Sequence, residues 1–216
     1  GEGTVEEAAS YLAEALRVQR LDYSTFRLPA LLETHFVRFL EAARAEPGAE
    51  DPLMWAAEMA ASEKRLTYVA NLGARGIVAW GDAGWRQVQG HGVRYSGRYA
   101  RHTDELNKVY CASTINVDIG RLYQSDIVTM RVFDVLACGG FLLAERSDDL
   151  DELFEVGLEV EAYSTLDELK RKVSFYLTHP EAARAIADRG MTAVRTRHTI
   201  QERVQTMLGA MGRGFA

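Results

Sequence analysis

The stretch Arg131-Val132-Phe133-Asp134-Val135-Leu136-Ala137-Cys138-Gly139-Gly140-Phe141-Leu142-Leu143-Ala144 constrains the fold more than any other part of the chain. A helical pattern of apolar and small residues runs into paired glycines, and the apolar run that follows reads as a buried strand. A strand apolar on both faces belongs to a parallel sheet, because helical crossovers cover such sheets on each side.

The same alternation recurs on both sides of this segment. Strands are expected over 77–81, 93–97, 114–119, 141–144 and 158–163, with helical patterns over 103–112, 127–138, 148–156 and 164–177, the last capped by Ser164. The fold class this implies is α/β, a Rossmann-like three-layer α/β/α domain of about five parallel strands, preceded by a helical N-terminal segment. That segment opens at Thr4 and Glu7, which have capping-box spacing, and continues through helical patterns over 4–20 and 29–45. Asp51-Pro52 supplies an N-cap and first-turn proline for a long helix to Leu72, ended by Gly73 or Gly76. The expected division is 1–65 as a helical lead-in packed on the main domain and 66–216 as the main domain. Two further helical segments, over 180–208 and broken around Gly190, precede a Gly-rich end expected to fray.

Composition narrows the function. Apolar residues make up 47% of the chain and charged residues 26%, which excludes wholesale disorder. A net charge of -6 argues against a nucleic-acid surface working by phosphate neutralisation. The two cysteines, Cys111 and Cys138, have neither disulfide-framework nor zinc spacing and are expected as small core residues. The five histidines are scattered without ligand spacing. The chain has no transmembrane run and no signal-peptide pattern at Gly1-Glu2-Gly3, so a cytoplasmic location is expected. It starts without Met, which suggests sequence upstream. G-x-x-x-x-G-K-[ST] and G-x-G-x-x-G are both absent, which excludes a P-loop and a standard dinucleotide turn.

In an open parallel sheet, ligands bind beyond the carboxyl ends of the strands. The loop after the third strand is the richest, with Arg121, Tyr123, Gln124, Ser125 and Asp126 leading into the helix of Arg131 and Asp134. Backbone N–H groups, a helix dipole and guanidinium groups there can converge on a diphosphate. The plainer alternative has Ser125 or Asp126 only capping the helix while Arg131 points into water. Asp134 lies in a stretch apolar nearly all round, which suits either a ligand hydroxyl or an ion pair with Arg131 one turn earlier. Gly97 lets a flat ring approach the backbone while Tyr99 or Tyr95 offers a face, although an ordinary turn fits equally. Gly81 and Trp85 mark the loop after the first strand, with Trp80 expected in the core. The acidic cluster Asp148, Asp149, Asp151, Glu152 and Glu155 reads as a solvated helix start rather than a metal site.

The run Arg131 to Leu143, then Asp151-Glu152-Leu153-Phe154-Glu155-Val156-Gly157, Leu166-Asp167-Glu168-Leu169, Tyr176-Leu177-Thr178-His179-Pro180, Ala187-Asp188-Arg189-Gly190 and His198-Thr199 resemble the glycosyltransferase family 1-like proteins related to the spore maturation protein CgeB. Trp80-Gly81-Asp82, Trp85 and Tyr95-Ser96-Gly97 are similar to earlier signposts of that group. The resemblance implies a GT-B enzyme whose C-terminal Rossmann-like domain, here 66–216, binds a nucleotide diphosphate sugar with no cofactor and no obligatory metal. It implies that Asp126 and Asp134 stand where many retaining GT-B enzymes carry two glutamates, each shortened here by a methylene. Asp134 would then face the ribose, Asp126 the donor sugar and Arg131 the diphosphate, giving Asp126 and Arg131 catalytic roles. Arg121, Ser125, Gly97, Tyr99, Gly81 and Trp85 would complete donor binding.

A GT-B enzyme closes two Rossmann-like domains around donor and acceptor, and the helical first 65 residues contain no strand series. The expectation is therefore a donor-binding part whose acceptor domain lies elsewhere, with no nucleic-acid partner and no transmembrane segment. Alone it would bind but hardly turn over. The alternative is a non-catalytic GT-B-like module with a structural or assembly role.

Overall fold

A computed structural model describes residues 5–32, 37, 51–102 and 104–213. Internal contacts divide the chain into two compact units. The first runs to Ala79 and adds Ala83–Ser96 and Gly120–Ser125; the second contains Trp80–Asp82, Gly97–Ile119 and everything from Asp126 onward. Thr4, Thr103, most of the expected helix over 29–45 and the end of the Gly-rich tail lie outside the described residues; 28–32 are helical.

The first unit is mainly helical. Helix α1 (Val5–Gln19) and helix α2 (Pro52–Leu72) share a core of Ala15, Leu16, Leu28, Leu32, Ala56, Ala60 and Leu122. The expected start of α2 is present: Asp51 Oδ1 accepts from the Leu53 N–H at 2.9 Å, with Pro52 in the first turn. The α-helix ends into a 3₁₀ turn, Gly73–Arg75, closed by Gly76 at φ 80°. Gly73 is required for a different reason, since a Cβ there would fall 1.9 Å from the His91 carbonyl oxygen. Two short strands, β1 (Val78–Ala79) and β2 (Arg94–Tyr95), pair in parallel.

The second unit carries helix α3 (Asp104–Ala112), strand β3 (Asn116–Val117), helix α4 (Met130–Ala137), strand β4 (Leu142–Glu145), helix α5 (Asp148–Leu153), strand β5 (Glu161–Tyr163), and helices α6 (Leu166–Thr178), α7 (Pro180–Arg197) and α8 (Ile200–Arg213). Its sheet has the order β3-β4-β5, all parallel, with Asn116 opposite Leu142 and Leu143 opposite Glu161. The expected parallel strands are thus found, divided between a two-stranded and a three-stranded sheet.

Alternation along the strands builds the layers. Leu142, Ala144, Val160 and Ala162 join Val132, Phe133, Val135 and Leu136 of α4 and Ala193 and Val194 of α7 in one core. The opposite face meets α6: Phe141 packs on Tyr176 with ring centroids 4.5 Å apart, and Glu161 accepts from Lys172 at 3.0 Å. This is a Rossmann-like α/β/α arrangement. Full burial of Leu136 and Leu142 contributes roughly 2 kcal/mol each.

Four local expectations need correction. Helix α4 begins at Met130 rather than near Ile127, because Ser125 and Asp126 form a turn and 127–129 do not enter the helix. The cap of α6 is Thr165, not Ser164; Thr165 Oγ1 accepts from the Glu168 N–H at 3.2 Å, while the Glu168 carboxylate accepts from the Ser164 N–H, one residue before the cap, at 2.8 Å. Helix α7 passes unbroken through Gly190, which is buried where a Cβ would lie 2.2 Å from the Glu159 carbonyl oxygen, so this glycine serves close packing and the break comes at His198. Cys111 is exposed and Cys138 half-buried, so neither is a core residue.

Candidate functional site

The carboxyl end of β3 delivers Asp118, whose side chain is only 8% exposed. A buried carboxylate needs partners. Asp118 is ion-paired to the Arg131 guanidinium and accepts from Thr129 Oγ1 at 3.4 Å. Its backbone is fixed on both sides: its N–H donates to the Leu143 carbonyl at 3.0 Å, and its carbonyl accepts from Tyr163 Oη at 2.7 Å. Tyr110, on α3, interacts electrostatically with the same guanidinium. Burial pulls the Arg131 pKa down, but the charge and hydrogen bond of Asp118 outweigh it and the net shift is upward. Burial raises the Tyr110 phenol, partly offset by Arg131.

Arg131 is therefore held at its inner edge while its side chain remains 50% exposed. A guanidinium has five N–H donors, so the outer ones remain for a ligand. It stands in the first turn of α4, whose N-cap Thr129 is extended (φ -74°, ψ 156°) and makes no side-chain capping bond. The hydroxyl that would cap the helix is turned to Asp118 instead. Uncapped N–H groups, the positive end of the helix and an anchored arginine together form a cradle suited to a phosphate or diphosphate.

Asp134 lies one turn beyond Arg131, half-buried, with Arg131 committed to Asp118 rather than to it. Among the described residues its carboxylate makes no hydrogen bond or ion pair. Its charge reaches Tyr110 and Cys138, raising both. Such an acid can accept from a ligand hydroxyl without breaking any protein contact.

The remaining expected residues are distributed as follows. Asp126 is exposed in the turn before α4. The Gly81 N–H donates to the Arg98 carbonyl at 3.2 Å, and Gly97 takes φ 84°, which a side chain would resist. Tyr99 is 65% exposed and its Oη lies 3.4 Å from Asp82 Oδ2. Beside it the Arg98 guanidinium stands 5.4 Å from the Trp80 ring centroid and pairs with Glu105. These residues, with Asp126, Arg131 and Asp134, belong to the second unit. Arg121, Ser125 and Trp85 belong to the first, where Arg121 Nε is 3.9 Å from Glu58 and its guanidinium lies over the Tyr123 ring.

Asp118, Tyr110 and Thr129 were not singled out by the sequence. Asp118 carried one usable signal, an acid at the carboxyl end of a predicted strand, where ligand sites gather. Tyr110 offered none. Among the described residues no group of three or more His, Cys, Asp and Glu side chains could hold a metal ion, and no helix is long and apolar enough to cross a membrane.

The glycosyl transferase-like family matches residues 56–209, which include the whole cradle. No curated protein and no solved structure matches the chain. The chain belongs to the glycosyl transferase-like family.

Proposed function

We propose that this chain binds the donor of a GT-B glycosyltransferase, a nucleotide diphosphate sugar, whose glycosyl group passes to an acceptor hydroxyl. The observation that carries the reading is Arg131, anchored by a buried carboxylate in the first turn of α4, whose N-cap Thr129 makes no side-chain capping bond, within a glycosyl transferase-like chain. In the transfer, the bond from the anomeric carbon to the terminal diphosphate oxygen breaks, and negative charge grows on the departing diphosphate. The α4 N–H groups and Arg131 stabilise that charge in a fixed geometry. Asp134 accepts from a ribose hydroxyl, and Asp126 lies toward the donor sugar. Gly81, Gly97 and Tyr99 provide a face for the base. Arg121, Ser125 and Trp85 lie in the first unit and are left out of this assignment. The acceptor is supplied by a further domain, and the reaction needs no obligatory metal.

The test is a titration by calorimetry or saturation-transfer NMR with uridine, guanosine and adenosine diphosphates, their sugar conjugates and the parent nucleosides. At least one diphosphate binds, and Arg131→Lys, which keeps a charge beside Asp118 but loses the planar fork, weakens that binding about tenfold while leaving the nucleoside unaffected. Absence of contact with every nucleotide at millimolar concentration would overturn the proposal and favour a non-catalytic assembly role.

A further inference from the structure

The chain has two cysteines, 27 positions apart, and folding brings them together. Cys111 lies in the last turn of α3, and Cys138 is the C-cap of α4. The Cys111 thiol donates to the Cys138 carbonyl oxygen at 3.0 Å. The Cys138 thiol lies 3.5 Å from Asn107 Oδ1, one turn before Cys111 on α3. Both thiols are free, Cys111 is exposed, and Cys138 is half-buried behind it.

We propose that Cys111 and Cys138 are a modification site, an oxidisable dithiol that closes to an intrachain disulfide between the ends of α3 and α4. The oxidant is a low-molecular-weight disulfide. The Cys111 thiolate attacks one of its sulfurs, a Cys111 mixed disulfide forms, and one small thiol leaves. Cys138 then gives up its proton and attacks Cys111 Sγ, the Cys111–Cys138 bond forms and the second small thiol leaves. Two protein thiols are oxidised, one external disulfide is reduced to two thiols, and atoms and electrons balance.

The order follows from exposure and charge. Cys111 is the thiol an external disulfide can reach. Burial raises the Cys138 thiol, and the neighbouring Cys111 and Asp134 raise it further, which suits the resolving partner more than the first nucleophile. The bridge would tie down the end of the helix that carries Arg131 and Asp134, one residue from Tyr110. Its formation does not depend on the donor-binding proposal, and either can fail alone.

The reduced full chain is equilibrated with stepped ratios of oxidised to reduced glutathione, quenched with N-ethylmaleimide, weighed intact and mapped without reduction. The expected product is a monomer lighter by two hydrogens, carrying no maleimide, with a Cys111–Cys138 peptide. Cys138→Ser should instead accumulate glutathione on Cys111. The proposal is overturned if the unmodified chain keeps two maleimide-reactive thiols at every ratio, carries stable glutathione on both, or links only between chains.

Discussion

Substituting Gly190→Ala places two physical effects in opposition within one buried helix. In an exposed helix interior, Gly→Ala is favourable by about 0.8–1 kcal/mol. At position 190 the new Cβ would lie 2.2 Å from the Glu159 carbonyl oxygen and 2.8 Å from Leu136 Cδ2. Ordinary contact begins at 3.4 Å, so α7 and the chain at Glu159 must separate by 3.4 - 2.2 = 1.2 Å. That backbone has little freedom to move. The Leu158 carbonyl accepts from Arg189 Nε at 2.7 Å, the Glu159 carboxylate is gripped by Arg197 at 2.6 and 3.0 Å, and the Gly157 N–H donates to the Val160 carbonyl at 2.8 Å. Overpacking a well-filled core costs about 1–3 kcal/mol, and a pinned backbone puts this site at the upper end. The net expectation is destabilisation of roughly 1–2 kcal/mol, a fall in melting temperature of about 2–8 °C. Urea unfolding followed by far-ultraviolet circular dichroism measures it, with Gly209→Ala in α8 as the control, since no atom lies within 4 Å of a Cβ there. The control should be neutral or stabilising by up to about 1 kcal/mol. A Gly190→Ala protein as stable as the original would refute the packing argument.

Three further outcomes are expected. Asp134→Ala should leave stability unchanged or raise it by up to about 0.7 kcal/mol, because the carboxylate has no partner to lose and alanine is the better helix former, yet it should weaken nucleotide binding; a clear loss of stability in thermal unfolding would make the acid structural. The Glu105 carboxyl is held down to about 2, first by its hydrogen bond to Arg98 and then by the Arg101 N–H. Its pKa is depressed on folding, so its contribution to stability is full above 4.5 and is lost as pH falls toward 2; carbon-detected NMR titration should show this, with Arg98→Ala returning the midpoint toward the ordinary value. Lys172→Met leaves the buried Glu161 carboxylate, among the described residues, with Tyr176 and the Ala162 N–H as its partners, and should cost roughly 1–3 kcal/mol, the Lys172 side chain being 28% exposed; urea unfolding measures the deficit, and a variant as stable as the original would refute the burial argument.

The elements were legible where the apolar period was strong. Leu142, Leu143 and Ala144 announce a strand buried on both faces, and Asp51-Pro52 marks the start of α2 because cap chemistry is local. Gly190 misled because a glycine inside a helical pattern has two opposite meanings, and only the proximity of Glu159 decides between them. Ser125 and Asp126 are good capping types, yet the N-cap is Thr129 and the helix starts at Met130, about one turn later. The pairs Asp118–Arg131, thirteen positions apart, and Cys111–Cys138, twenty-seven apart, exist only through tertiary contact, and no local pattern encodes them.

The cradle itself follows from a choice made by Thr129. Helices α4, α5 and α6 are the next α-helices in the chain after β3, β4 and β5, and the latter two are closed by their own caps: Ser147 accepts from the Leu150 N–H at 3.2 Å in α5, and Thr165 accepts from the Glu168 N–H in α6. Thr129 is a competent capping residue in extended geometry, and using it would stabilise α4 by about 1 kcal/mol. Its hydroxyl turns inward to Asp118, the acid that also fixes Arg131. One buried carboxylate thus withdraws the cap from the helix tip and sets the guanidinium beside it. Asp118→Asn tests this coupling: with the charge gone, Arg131 loses its anchor and diphosphate affinity falls, while nucleoside affinity is unaltered. Equal losses for nucleoside and diphosphate would mean that Asp118 supports the fold as a whole and has no particular hold on the anion.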